Sequence, residues 1–167
     1  MLKKFLALAL ATTLTLGFAA GVQAADKKIY KLRLAETWPP NFPIFGDTTR
    51  KLARLAGEMS DGRLKITIDS KNKHKAPFGI FDMVRSGQYD MGHSSSYYWK
   101  GKDPNTLYFT TMPFGMIAPE QYAWFYYGGG MELMKKVYDK YGLLSFPGGN
   151  TGNQMLSLIH ISEPTRR

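Results

Sequence analysis

Tyr30, Leu32 and Leu34 alternate with Lys31 and Arg33, a period-two pattern that predicts a strand with one apolar face. Trp38-Pro39-Pro40 ends the extended run, because proline removes a backbone donor and fixes φ. From Thr48 onward Leu52, Leu55, Ala56 and Met59 recur at helical spacing and are expected to face the core; Ser60-Asp61-Gly62 supplies the stop. Leu64, Ile66 and Ile68 then alternate again. Strand, helix and strand with a crossover of this length predict a parallel βαβ unit with a right-handed connection. The fold class is α/β, a parallel-rich sheet flanked by helices.

The following signals are less regular. Ile80, Phe81 and Val84 share a helical face that ends at Ser86-Gly87, and residues 89–92 have the length of a short strand. Helices are predicted over 119–127 and 131–141, separated by Gly128-Gly129-Gly130, with a further strand over 143–146. Most of Tyr122, Trp124, Phe125, Tyr126 and Tyr127 are expected to pack their helix into the core. Open α/β sheets bind ligands beyond the carboxyl ends of their strands. The loops over 92–102 and from Pro147 are therefore the expected walls of a site.

The second loop reads Pro147-Gly148-Gly149-Asn150-Thr151-Gly152-Asn153-Gln154-Met155. Its glycines expose backbone, and its side chains are neutral amides and a hydroxyl, suited to holding a polar ligand rather than to acid or base chemistry. In the first loop His93 and Ser94 are candidate ligand contacts, and Tyr98 offers an apolar wall with a hydroxyl at its tip. Trp38, at the end of the first strand, is a weaker candidate. Gly92-His93-Ser94-Ser95-Ser96 lacks the closing glycine of a nucleophile elbow. The three histidines show no His-Glu-x-x-His spacing, and the chain has no cysteine, which excludes a thiolate metal site or nucleophile. The triple glycine lacks the Lys-Ser or Lys-Thr of a phosphate loop.

Residues 1–24 change how the charge is read. Lys3 and Lys4 precede an apolar stretch from Phe5 to Leu16, and Val22-Gln23-Ala24 is a small-residue cleavage site, the pattern of a secretory signal peptide. Between residues 25 and 155 there are 18 Lys and Arg against 12 Asp and Glu, so part of the whole-chain excess of +9 belongs to that leader. Lys71, Lys73 and Lys75 around His74 are read as a solvated loop, not as a nucleic-acid surface. The mature protein is expected to be periplasmic and soluble.

Several segments occur in a fixed order: residues 32–39, Ser60-Asp61-Gly62-Arg63-Leu64, Gly92-His93, Tyr97-Tyr98-Trp99-Lys100-Gly101-Lys102-Asp103-Pro104, Pro113-Phe114-Gly115, Gly128-Gly129-Gly130 and Phe146-Pro147-Gly148-Gly149-Asn150-Thr151-Gly152. Together they resemble the solute-binding subunit of tripartite ATP-independent periplasmic (TRAP) transporters, the DctP-like family, and within it the branch that binds 2-oxo acids. The resemblance spans about residues 30–155 and implies a periplasmic binding protein-like (type II) lobe, here incomplete. It implies capture of a small organic acid such as pyruvate, and delivery to TRAP membrane permease subunits driven by a sodium gradient. It assigns substrate contact to His93, Ser94 and Asn150, and places Gln154 on a sodium or calcium ion that bridges to the substrate. A homodimer of the full-length protein is left open.

After Met155 the chain departs from the family, which continues with Gly-Gly-Trp-Phe-Arg and an arginine that clamps the substrate carboxylate. Residues 156–167 resemble translated adapter DNA and are expected to be a non-native tail. Residues 25–155 would then be an N-terminal lobe cut near the hinge, expected neither to bind substrate tightly nor to fold well by itself. A periplasmic enzyme with His93 as general base is the alternative; a non-enzymatic binding protein is the leading expectation.

Overall fold

The computed structural model describes residues 28–110 and 112–152. The leader, Gln154 and the tail lie outside the described residues. Three parallel strands, β1 (Tyr30–Glu36), β2 (Leu64–Asp69) and β3 (Met91–His93), form a sheet in the order β2-β1-β3. Between β1 and β2 runs α1 (Phe45–Met59), and α2 (Lys71–His74) and α3 (Ile80–Arg85) lead into β3. Two 3-10 helices, Ser96–Trp99 and Pro104–Phe109, precede α4 (Ala118–Tyr127) and α5 (Gly130–Asp139). No helix among the described residues is long and apolar enough to cross a membrane.

Pairing Ala35 with Gly92 and Glu36 with His93 divides the side chains between the two faces of the sheet. Glu36 and His93 lie on the face covered by α1, where Thr49 reaches Glu36. Ala35 and Gly92 face α3, and a Cβ at Gly92 would fall 2.5 Å from Ile80 Cγ2. The larger core lies beyond α3, where Phe81 packs with Phe109, Phe125, Met134 and Tyr138. Asp103 ties this half together: it accepts from the Asn105 amide at 3.0 Å and meets Lys140 at the end of α5. The Lys140 contact, followed by the Asn105 amide, holds its carboxyl down to about 2.

Five expectations are corrected. Helix α1 begins at Phe45 and buries Gly46 and Thr49; Leu55 and Ala56 are half-buried, while Leu52 is 43% and Met59 85% exposed, so the apolar stripe turns only partly toward the sheet. The 71–75 run is one helical turn, closed by Lys75 N–H to Lys71 O at 2.9 Å, with Lys73 drawn to the buried Asp69 at 2.6 Å. In α4 only Phe125 is buried; Tyr122, Tyr126 and Tyr127 are exposed because that helix packs through one stripe. Residues 143–146 form no strand: they alternate in burial as a strand would, but no neighbour pairs with them among the described residues, leaving Phe146 67% exposed. The third strand is also displaced, to Met91–His93.

Asp69, wholly buried at the end of β2, accepts from Arg33 at 3.1 Å, Tyr89 at 3.0 Å and Lys73. Burial acts to raise its pKa, but the hydrogen bonds from Lys73, Arg33 and Tyr89 outweigh it and the pKa is lowered. Its contribution to stability is therefore present above the unfolded carboxylate range, about pH 4, and is lost as pH falls through the depressed folded value. Asp69→Asn is expected to cost about 1–3 kcal/mol at pH 7, because Arg33 and Lys73 are exposed enough to be resolvated. The difference from wild type narrows on acidification. Urea unfolding at pH 7 and pH 3 measures both effects, and an equal gap at the two values contradicts this account.

Candidate functional site

The carboxyl ends of β1 and β3 lie side by side, joined by Thr37 N–H to His93 O at 3.1 Å. Residues 36–38 and 93–94 thus converge at one end of the sheet, as strand-end loops do in open α/β folds. Trp38 stacks on Phe45 at 4.1 Å and tilts against His93 at 4.9 Å; Phe45 meets the same imidazole edge-on at 5.7 Å. These rings give His93 little freedom to turn. Trp38 is therefore a packing group that supports the site.

His93 links the two loops singled out in the sequence. Its Nε2 lies 3.1 Å from Gly148 O, an acceptor only, so Nε2 carries the proton of that contact. Its Nδ1 faces Glu36 Oε1 at 3.5 Å, too long for a hydrogen bond, and is a buried nitrogen without a hydrogen-bond partner. Gly148 allows the approach: a Cβ there would lie 2.9 Å from His93 Cδ2 and Nε2. The polar loop reaches β3 even though the segment before it is not a strand.

Ser94 stands beside this contact. Thr37 Oγ1 lies 3.0 Å from Pro77 O and 2.6 Å from Ser94 Oγ. A hydroxyl has one proton and a carbonyl has none, so Thr37 donates to Pro77 and Ser94 donates to Thr37. That leaves Ser94 Oγ with acceptor capacity. Asn150 donates one amide hydrogen to Gln121 Oε1 at 3.2 Å and accepts from the Gly152 amide at 2.7 Å, keeping one amide hydrogen for a ligand. Gln121 is itself held through Thr110 O at 3.2 Å.

Tyr98 belongs to a different surface. It lines a shallow groove of about 560 Å³ with Phe78, Tyr97, Lys100 and Leu107, its ring 4.8 Å from Phe78. Burial, then the Tyr97 hydroxyl at 3.1 Å, pushes its pKa up to about 12, so the phenol remains a donor at neutral pH. A second groove, of about 330 Å³, includes Thr110, Gln121 and Trp124 and so adjoins the partner of Asn150. His93, Ser94 and the 147–152 loop are brought together; Tyr98 is set apart from them.

Sequence reasoning missed Glu36, Thr37, Phe45, Thr49 and Gln121. Glu36 left a readable signal: extending the Tyr30, Leu32, Leu34 alternation by two residues puts a carboxylate on the apolar stripe. The others left none, since only the tertiary fold brings them to the site. Among the described residues no group of three or more His, Asp and Glu side chains converges to hold a metal ion. Gln154, the expected cation ligand, lies outside them.

Comparison with known proteins places the chain among periplasmic solute-binding proteins. The monocarboxylate 2-oxoacid-binding periplasmic protein of Nostoc sp. is 37% identical over 137 residues, covering 81% of this chain and 37% of the relative. The TRAP periplasmic solute binding protein of Pseudoalteromonas atlantica, solved with sodium and pyruvate, is 74% identical with a TM-score of 0.72, covering 73% of this chain and 37% of that one. That of Colwellia psychrerythraea, solved with calcium and pyruvate, is 73% identical with a TM-score of 0.75, covering 77% and 39%. The chain thus spans less than two fifths of the length of these relatives. The family profile of bacterial extracellular solute-binding proteins, family 7, matches residues 34–165, and the chain belongs to that family, DctP.

Proposed function

We propose that the protein is a periplasmic solute-binding protein that captures a 2-oxo acid, pyruvate or a related carboxylate, for sodium-driven uptake through TRAP permease subunits. Residues 1–24 act as a cleaved signal peptide, and residues 25–155 supply most of the first of two lobes. The observation that carries this reading is the contact of His93 with Gly148, which joins the end of β3 to an acid-free polar loop in a chain akin to proteins that hold pyruvate. The remaining Asn150 amide hydrogen suits a carboxylate oxygen, and Ser94 Oγ suits a hydroxyl donor on the ligand. Gln154 contributes a neutral oxygen to a sodium or calcium ion in the whole protein. Tyr98, on a separate groove, is left out of this ligand wall.

Catalysis by His93 does not fit the geometry. One ring nitrogen is committed to Gly148 O, the other is buried against Glu36, and neither is placed to take a proton from a substrate.

Thermal unfolding tests the substrate class. A version of the protein as long as its relatives is expected to melt higher with pyruvate, by the equivalent of about 2.7 kcal/mol at one hundred times the Kd. The 167-residue chain is expected to give no saturable micromolar binding in a calorimetric titration. Absence of any shift across 2-oxo and hydroxy acids in the longer protein would remove the substrate assignment. Pyruvate consumed rather than recovered unchanged would favour an enzyme.

A further inference from the structure

The surroundings of the His93 imidazole do not balance unless one more proton is present. Glu36 is almost completely buried, and its carboxylate accepts from Thr49 Oγ1 at 3.0 Å. On the other side of the same Oε1, at 3.5 Å, lies His93 Nδ1, buried and unpartnered. Because Gly148 O can only accept, Nε2 must bear a hydrogen. A neutral ring would then turn the Nδ1 lone pair toward an ionised carboxylate, two acceptors facing each other away from water. Buried polar atoms without a complementary partner are costly, and ionised ones more so. One proton between Glu36 and His93 removes the conflict, whether carried on the ring or on the carboxyl.

The neighbouring histidine shows the contrast. His74 Nδ1 accepts from the Ala76 amide at 3.2 Å and its Nε2 donates to Glu36 O at 2.9 Å, so a neutral ring is satisfied on both sides. Around the His93 ring the contacts come from Glu36 at the end of β1, Trp38 just after it, Phe45 on α1 and Gly148 on the loop; among the described residues in these contacts the only titratable side chain is Glu36.

We propose that Glu36 is a positioning residue: with one proton carried by the Glu36–His93 pair, on either partner, it holds the imidazole with Nε2–H on Gly148 O, and so sets the loop that presents Asn150. It touches no ligand itself. This rests on the reading of residues 147–152 as a ligand wall, but the shared proton can be tested without any ligand.

Ring nitrogen shifts of His93 and the carboxyl carbon shift of Glu36 are measured, without ligand, in a version of the protein as long as its relatives. Either a doubly protonated ring facing a carboxylate, or a neutral ring facing a protonated carboxyl, is expected; a neutral ring beside an ionised carboxylate overturns the proposal. Glu36→Gln replaces the shared proton with an amide hydrogen directed at Nδ1. The ring is then expected to be neutral with the Gly148 and Asn150 amide signals near their wild-type positions, whereas in Glu36→Ala they move together with the His93 signals. Glu36→Ala, in a version as long as the relatives, is expected to weaken pyruvate binding about tenfold, with Glu36→Gln close to wild type at pH 7. If Glu36→Gln fails to fold, the wild-type shifts alone decide the shared proton. Confirmed sharing with no pyruvate binding would overturn the functional reading only. Pyruvate binding with Gly148 and Asn150 signals indifferent to residue 36 would overturn the positioning role.

Discussion

Replacing Phe81 by alanine is expected to lower stability by about 3–5 kcal/mol, the largest effect of any single truncation considered. The side chain is 2% exposed, and its ring meets Trp99 at 5.2 Å, Tyr141 at 5.0 Å and Tyr138 at 6.4 Å. Those neighbours are themselves rigid rings, Trp99 on the first 3-10 helix, Tyr138 on α5 and Tyr141 in the turn that follows it, so the void left by the benzyl group cannot be closed by small rotations. The loss of transfer energy and the cavity therefore add. Urea unfolding should show a lower midpoint with an unchanged slope. A cost below about 1 kcal/mol would mean that the two halves of the core are not joined through this ring.

A second large effect is expected at Gly148. Valine there would place its Cβ 2.9 Å from His93 Cδ2 and Nε2, and the imidazole cannot retreat because Trp38 and Phe45 lie against it. The loop must move instead, breaking the hydrogen bond to Gly148 O. Overpacking of this kind costs about 1–3 kcal/mol, which corresponds to about a 5- to 150-fold loss of affinity when it falls on the bound arrangement. Titration of pyruvate into Gly148→Val, in a protein as long as the relatives, is the test. Gly101→Ala is the control, since an added Cβ there meets nothing within 4 Å. Undiminished affinity in Gly148→Val would place the ligand elsewhere.

How much of this was legible in the sequence differs between backbone and site. The βαβ unit was readable because Leu32, Leu34, Ile66 and Ile68 keep strict alternation and Gly62 supplies a left-handed turn at φ 74°. The 143–146 segment misled because alternation reports which side is buried, not whether a partner strand is present. The length of α1 was readable but its buried face was not: Thr49 is buried for its hydroxyl, which an apolar pattern cannot register. At the site, His93 and the glycine-rich loop were visible as polar, flexible residues at predicted strand ends. Their partners Glu36, Thr37 and Gln121 are 57, 57 and 29 residues from the side chains they meet, and only the folded chain sets those pairs.

The anchor between the loop and β3 is a main-chain carbonyl, and that has an evolutionary consequence. Every residue has a carbonyl, so the fastening depends on a small residue at position 148 and on His93, not on the identity of the side chains displayed afterwards. Descendants of one ancestor can exchange those displayed groups and acquire a new acid as cargo while the fastening persists.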